Sequence, residues 1–154
     1  MSGRIGIDLG GTKIDAIALS EAGEALFEKR VATPKTYEGI VAAIGSLVQE
    51  AGDGKVGIGA PGSRSRVTGL WRNANIVVCN GKPFQADLEA VIGRPVKMEN
   101  DANCFALSEA IDGAGQGYGV VAFFTVGTAL GGGLVVNGKL IVGANGEAGE
   151  FGHT

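Results

Sequence analysis

Two stretches of this sequence repeat one order of elements, and that repetition limits the folds open to it more than any other feature. Residues 4–8, 13–19 and 25–31 read as strands, joined by the turns Leu9-Gly10-Gly11-Thr12 and Glu21-Ala22-Gly23-Glu24. Residues 120–126, 132–136 and 139–142 read the same way, with Gly127-Thr128-Ala129-Leu130-Gly131 and the hairpin pair Asn137-Gly138 between them. A repeated antiparallel meander of this kind implies a diverged internal duplication. Three strands alone have little to pack against, so each copy calls for further elements to cover it.

The first copy has them. After Thr33-Pro34, the positions Tyr37, Ile40, Val41, Ile44, Leu47 and Val48 recur at helical spacing, and Ala51-Gly52-Asp53-Gly54 ends that helix. A buried strand follows at 56–60, closed by Pro61-Gly62. Residues 63–85 read as an irregular excursion over one end of the sheet, the kind of loop that often carries binding groups. Residues 86–92 read as a second helix stopped at Gly93, and 95–99 as a short strand. Asn100-Asp101 then stands where a cap belongs, ahead of Cys104, Leu107, Ser108 and Ile111 at helical spacing. Residues 113–119 read as a linker, and the second copy reaches Thr154 before any covering helix.

Composition narrows the classes. The chain has 28 glycines in 154 residues, more than twice the roughly 7% of average proteins. They follow no triplet period and sit between Val, Ile and Leu runs, which excludes collagen-like and disordered chain. A net charge of −3 and a pI near 5.1, with no concentrated basic patch, argue against nucleic-acid or anionic-membrane partners. Apolar runs such as residues 119–126 fall far short of the roughly 20 residues of a membrane helix, and the first residues lead into a strand rather than a signal core. Cys79 and Cys104 have neither metal-binding spacing nor scaffold density, so a reduced cytoplasm is the expected location.

Four motifs carry chemistry. In Asp8-Leu9-Gly10-Gly11-Thr12-Lys13, glycines let backbone N–H groups approach an anion, a Thr hydroxyl adds a donor, and an Asp can hold water on Mg²⁺. A plain hairpin turn would read the same way. The run Gly127-Thr128-Ala129-Leu130-Gly131-Gly132-Gly133 occupies the equivalent place in the second meander. Three consecutive glycines cost a structured segment up to about 1 kcal/mol each, which either phosphate approach or close strand packing would justify. Glu99-Asn100-Asp101-Ala102-Asn103 offers a carboxylate able to take a proton from a hydroxyl, although taken alone simple N-capping by Asn100 or Asp101 accounts for it more readily. Gly146-Glu147-Ala148-Gly149-Glu150-Phe151-Gly152-His153 holds the single histidine and says little on composition alone.

Together these motifs, with Ala60-Pro61-Gly62, resemble the ROK family of sugar kinases within the actin-like ATPase superfamily, in the family's order and approximate spacing along essentially the whole chain. The resemblance implies an α/β fold of the actin-like ATPase (ribonuclease H-like) type: a mixed five-stranded sheet with helices over residues 1–115, then the first strands of a second, similar domain over 116–154. It implies ATP-dependent phosphorylation of a hexose hydroxyl, the 6-hydroxyl being the expected acceptor, with ATP and Mg²⁺ as cofactors and no nucleic-acid or membrane partner, and it leaves room for a homodimer. Asp101 would be the general base. Gly6, Ile7, Asp8, Leu9, Gly10, Gly11, Thr12 and Lys13 would form one phosphate-binding segment, and Gly127, Thr128, Ala129, Leu130, Gly131, Gly132, Gly133 and Leu134 the other, with Asp8 near Mg²⁺ through water. Gly62, Asn75, Asn100, Asp101, Glu150 and His153 would contact the sugar. Residues 68–75, 80–84 and 103–109 look most like fructokinase or mannofructokinase members, whereas 101–110 and 149–153 look equally like N-acetylglucosamine kinase. Fructose or mannose is therefore the first expectation, and N-acetylglucosamine or glucose the alternative.

Two departures stand out. Ala129 replaces the third residue of the family's GTGxGGG motif, at a cost of roughly 1–2 kcal/mol if that position needs a left-handed backbone. Family members also continue further, with a cysteine-rich structural zinc motif whose ligands join the histidine at His153, an adenosine-binding segment and a C-terminal helix returning to the first domain. The chain is thus expected to be the N-terminal portion of a kinase, inactive alone and without an adenine pocket or bound zinc. A non-catalytic sugar-binding or regulatory ROK protein is the competing class. ROK repressors place a helix-turn-helix ahead of this domain, and a phosphate loop starting at Asp8 leaves no room for one.

Overall fold

A computed structural model describes residues 3–126 and 130–153. Gly127, Thr128 and Ala129, and the side chain of His153, fall outside the described residues.

The first meander forms as β1 (Arg4–Leu9), β2 (Lys13–Leu19) and β3 (Ala25–Ala32). Alternation decides its faces: Ile5, Ile7 and Leu9 of β1 and Ile14, Ala16 and Ala18 of β2 are buried, while Gly6, Asp8, Lys13, Asp15 and Ile17 look the other way. Helix α1 (Tyr37–Ala51) starts at Thr36, whose hydroxyl accepts the Gly39 N–H at 3.2 Å, and covers the buried face with Ile40, Ile44, Leu47 and Val48. Each such side chain contributes about 1.5–3 kcal/mol on burial. The chain returns as β4 (Lys55–Ala60), parallel to β1.

The excursion is more ordered than its sequence suggests. Strands β5 (Ser63–Arg64) and β6 (Trp71–Arg72) pair as a small hairpin, followed by a short 3₁₀ turn over Val77–Cys79. Trp71 anchors it: the indole is buried, donates to the Pro61 carbonyl at 2.9 Å and meets Phe84 edge-on at 6.0 Å. Helix α2 (Phe84–Ile92) begins two residues before the expected 86, because Phe84 is itself a core residue. Strand β7 (Val96–Asn100) then pairs parallel with β4, completing a mixed sheet in the order β3-β2-β1-β4-β7.

Helix α3 (Asp101–Asp112) leaves this sheet for the second one, formed by β8 (Val120–Val126), β9 (Leu130–Val136) and β10 (Lys139–Ile141) in the order β10-β9-β8. That order repeats β3-β2-β1. One expectation is corrected here. The glycine run was read as a turn ending at Gly131, with β9 starting at Gly132. Leu130, Gly131, Gly132 and Gly133 instead lie within β9, paired to Val126, Thr125, Phe124 and Phe123. The reason is packing. A Cβ on Gly133 would stand 2.6 Å from the Ala106 Cβ of α3, and one on Gly132 would meet the Phe151 ring at 2.9 Å. The bare strand lets a helix approach on one face and the C-terminal loop on the other. Phe105 of α3 stacks on Phe123 at 4.6 Å, and Ala106 and Val135 are fully enclosed there, apart from the main core. No helix among the described residues is long and apolar enough to cross a membrane.

Candidate active site

The three parallel strands β1, β4 and β7 end side by side, which is where open α/β sheets gather their ligands. Register aligns Asp15, Asp8, Gly59 and Glu99 in one row on the face turned away from α1. This face and α3 enclose an open groove of about 1570 Å³, lined among others by Gly6, Asp8, Gly57, Gly59, Glu99, Asp101 and Cys104.

Asp101 is the first residue of α3 and is exposed to the groove. Asp8 faces it across the cleft. Although Asp8 stays open to the groove, the surrounding walls desolvate its carboxyl, and the charges of Asp101 and then Asp15 push its pKa further above the usual carboxylate range, with Lys13 pulling partly back. The Cys104 thiol lies at the groove floor beside Gly59, raised to about 11 by burial and then by Glu99, Asp101 and Asp8. Burial alone pushes the Cys79 thiol, under the excursion, to about 11. Both are protonated at neutral pH and suit packing rather than nucleophilic work.

The backbone that holds Asp101 is built by its neighbours. Asn100 ends β7 and caps α3, its Oδ1 accepting the N–H groups of Ala102 at 3.0 Å and Asn103 at 3.3 Å. Its Nδ2 donates to the Gly62 carbonyl at 3.0 Å, tying the cap to the loop after β4. Gly62 is required there: its φ is +89°, and a Cβ would fall 2.5 Å from the Arg72 carbonyl oxygen. Glu99 accepts the Asn100 N–H at 2.8 Å and the Asn103 Nδ2 at 3.0 Å, a bridge from strand to helix that sequence reasoning did not assign. Its only sequence signal is the four-residue spacing of Glu99 and Asn103.

In the first expected phosphate segment, Ile7 and Leu9 are core side chains, and of the two only Ile7 borders the groove. Gly10 closes the turn by donating to the Lys13 carbonyl at 2.9 Å, and Gly11, Thr12 and Lys13 are exposed. Nothing lies within 4 Å of a Cβ on Gly11, whose φ is not positive, so the fold itself places no demand for glycine at that position. In the second segment, Leu130 is exposed and Leu134 half-buried, and Gly131, Gly132 and Gly133 take the packing role above.

Of the expected sugar contacts, Gly62 and Glu150 share a small cavity of about 70 Å³ with Ser63, Asn73 and Glu147. Asn75 is exposed and lines neither this cavity nor the groove. The position of His153 as a sugar or zinc ligand lies outside the described residues. Among the described residues no three His, Cys, Asp or Glu side chains converge on a metal-sized site, and Cys79 and Cys104 stand in separate environments, so the residues described here do not fit a zinc centre. Mg²⁺ fits differently. Two carboxylates on one groove, Asp8 and Asp101, suit a cation held through water beside phosphates.

The chain is similar to known proteins along most of its length. The chain is 47% identical over 154 aligned residues to an N-acetyl-D-glucosamine kinase of Haemophilus influenzae, covering 96% of the chain and 51% of that protein. It superposes on a ROK family glucokinase from Streptomyces griseus, solved with glucose and AMPPNP, with a TM-score of 0.82 at 42% identity, over 98% of the chain and 50% of that structure. A ROK hexokinase from Thermus thermophilus gives a TM-score of 0.83 at 38% identity, covering 100% and 53%. The chain thus spans about half the length of the relatives it matches, and its mixed five-stranded sheet is that of the actin-like ATPase fold. With residues 4–154 matching the model described as the ROK family, the chain belongs to that family.

Proposed function

We propose that this chain is the N-terminal portion of an ATP-dependent hexose kinase whose first substrate is N-acetyl-D-glucosamine. The observation that carries the reading is the facing pair of carboxylates, Asp8 and Asp101, at the end of β1 and the start of α3 on an open groove. Asp101 is the general base: it accepts the proton of the acceptor hydroxyl as that oxygen forms its bond to the γ-phosphorus and the bond to the leaving diphosphate breaks. The proton then passes from Asp101 to solvent. Asp8 would hold Mg²⁺ through water, and the ion would neutralise charge on the phosphates. Gly11, glycine where the fold asks for none, leaves bare backbone for the phosphates to approach.

Fructose or mannose, implied by the resemblance of residues 68–75, 80–84 and 103–109, gives way to N-acetylglucosamine because that sugar is named in the curated relative at 47% identity. We also propose a domain boundary at Asn100-Asp101 rather than at 115–116, since α3 packs on β9. ADP release by the complete gene product, followed with N-acetylglucosamine, glucose, mannose and fructose, tests the substrate reading. The highest kcat/KM is expected with N-acetylglucosamine; sugar-independent ADP release would contradict the kinase itself.

A further inference from the structure

We propose that Ser63, Asn73 and Glu147 form a specificity subsite that receives one neutral, hydrogen-bonding substituent of the sugar. The inference rests on the hexose-kinase reading and deepens it.

Ser63 is only 7% exposed and its hydroxyl is buried without a partner. An orphaned buried hydroxyl is costly to a fold and calls for a partner that arrives later. The other buried side-chain atoms in that condition among the described residues belong to Arg72, Arg94 and Asn103, and none of those residues lines either cavity. Ser63 does. It shares its 70 Å³ cavity with Asn73, Glu147 and Glu150, whereas a single water needs only roughly 10–15 Å³. The space therefore admits a chemical group larger than one water.

The walls come from both halves of the molecule and are fastened to each other. The Asn73 Nδ2 donates to Glu147 Oε1, the Arg72 guanidinium lies 3.4 Å from the same oxygen, and Arg72 Nη2 donates to the Asn145 carbonyl at 2.5 Å. Asn73 holds a left-handed backbone, φ +57°, in doing so. These contacts fix Asn73 and Glu147 as walls of the space that Ser63 lines. A hydroxyl, an amide and two carboxylates, one of them paired with Arg72, suit a neutral group that carries an N–H or O–H donor, with the Ser63 hydroxyl available to a neighbouring oxygen. An acetamido N–H and a ring O–H share this chemistry.

Calorimetric titration of the complete gene product with N-acetylglucosamine and with glucose tests the subsite in the variants Ser63→Ala and Glu147→Gln. Sugar Kd is expected to rise about tenfold in Ser63→Ala, the size of one lost hydrogen bond, while the melting temperature of the ligand-free protein stays level or rises. A loss confined to N-acetylglucosamine assigns the acetamido group, and an equal loss with both sugars assigns a ring hydroxyl. Unchanged Kd for both sugars in both variants, with the unmodified protein binding normally, would overturn the subsite and leave the kinase reading intact. Absence of sugar binding by the unmodified protein would overturn both.

Discussion

At the residue scale, the proposed site turns on two carboxylates, Asp8 placed by strand register and Asp101 by the start of α3. Asp8 is pushed above its ordinary value of 3.8 by desolvation and by Asp101, so the native state favours its protonated form. The resulting stabilisation is complete below the ordinary pKa and is lost as pH rises through the folded value; at neutral pH the charge on Asp8 costs stability. Asp8→Asn is therefore expected to raise the melting temperature at pH 7 and to leave it unchanged near pH 3. Calorimetry at both values checks this, and a variant less stable at pH 7 would contradict it. Asp8 was legible from sequence as a polar residue at a strand end beside glycines. Its charge coupling to Asp101 was not, because 93 positions separate them and only the parallel pairing of β1, β4 and β7 closes that distance. Ser63 and Glu147 were invisible for the same reason: neither has a local signal, and each gains meaning from the other's position.

At the scale of elements, alternation and helical spacing carried most of the first five strands and their helices. Residues 13–19 appear as a strand just as alternation implies, since a half-buried strand writes its two faces into consecutive residues. The excursion at 63–83 escaped that reading, because a single buried indole and a pair of hydrogen bonds between the Asn80 side-chain amide and the Ala74 backbone, both 2.9 Å, order it rather than any periodic pattern. The glycines of β9 were misread for a related reason: glycine in sequence signals a turn, and only the neighbouring helix reveals that the missing side chains leave room for α3. Gly133→Ala should destabilise the protein by about 1–3 kcal/mol through overpacking against Ala106. Thermal or urea unfolding measures it, and an unaltered transition would contradict the packing role.

At the scale of the whole molecule, the duplicated meander produces two sheets with α3 passed from one to the other, and the carboxylate of Asp101 sits at the handover. On the proposed reading, that placement ties catalysis to the joint between the halves: the helix that packs on β9 also carries the carboxylate proposed as the base. The repeat was plain in the sequence, whereas the handover was not, because α3 follows the first sheet in the chain but packs on the second. The most direct test of this account is Asp101→Asn in the complete gene product, measured with N-acetylglucosamine and MgATP. The account predicts a fall in kcat of about 10²–10⁴-fold, the contribution of a positioned general base, with sugar affinity retained. A variant that keeps its rate would contradict it.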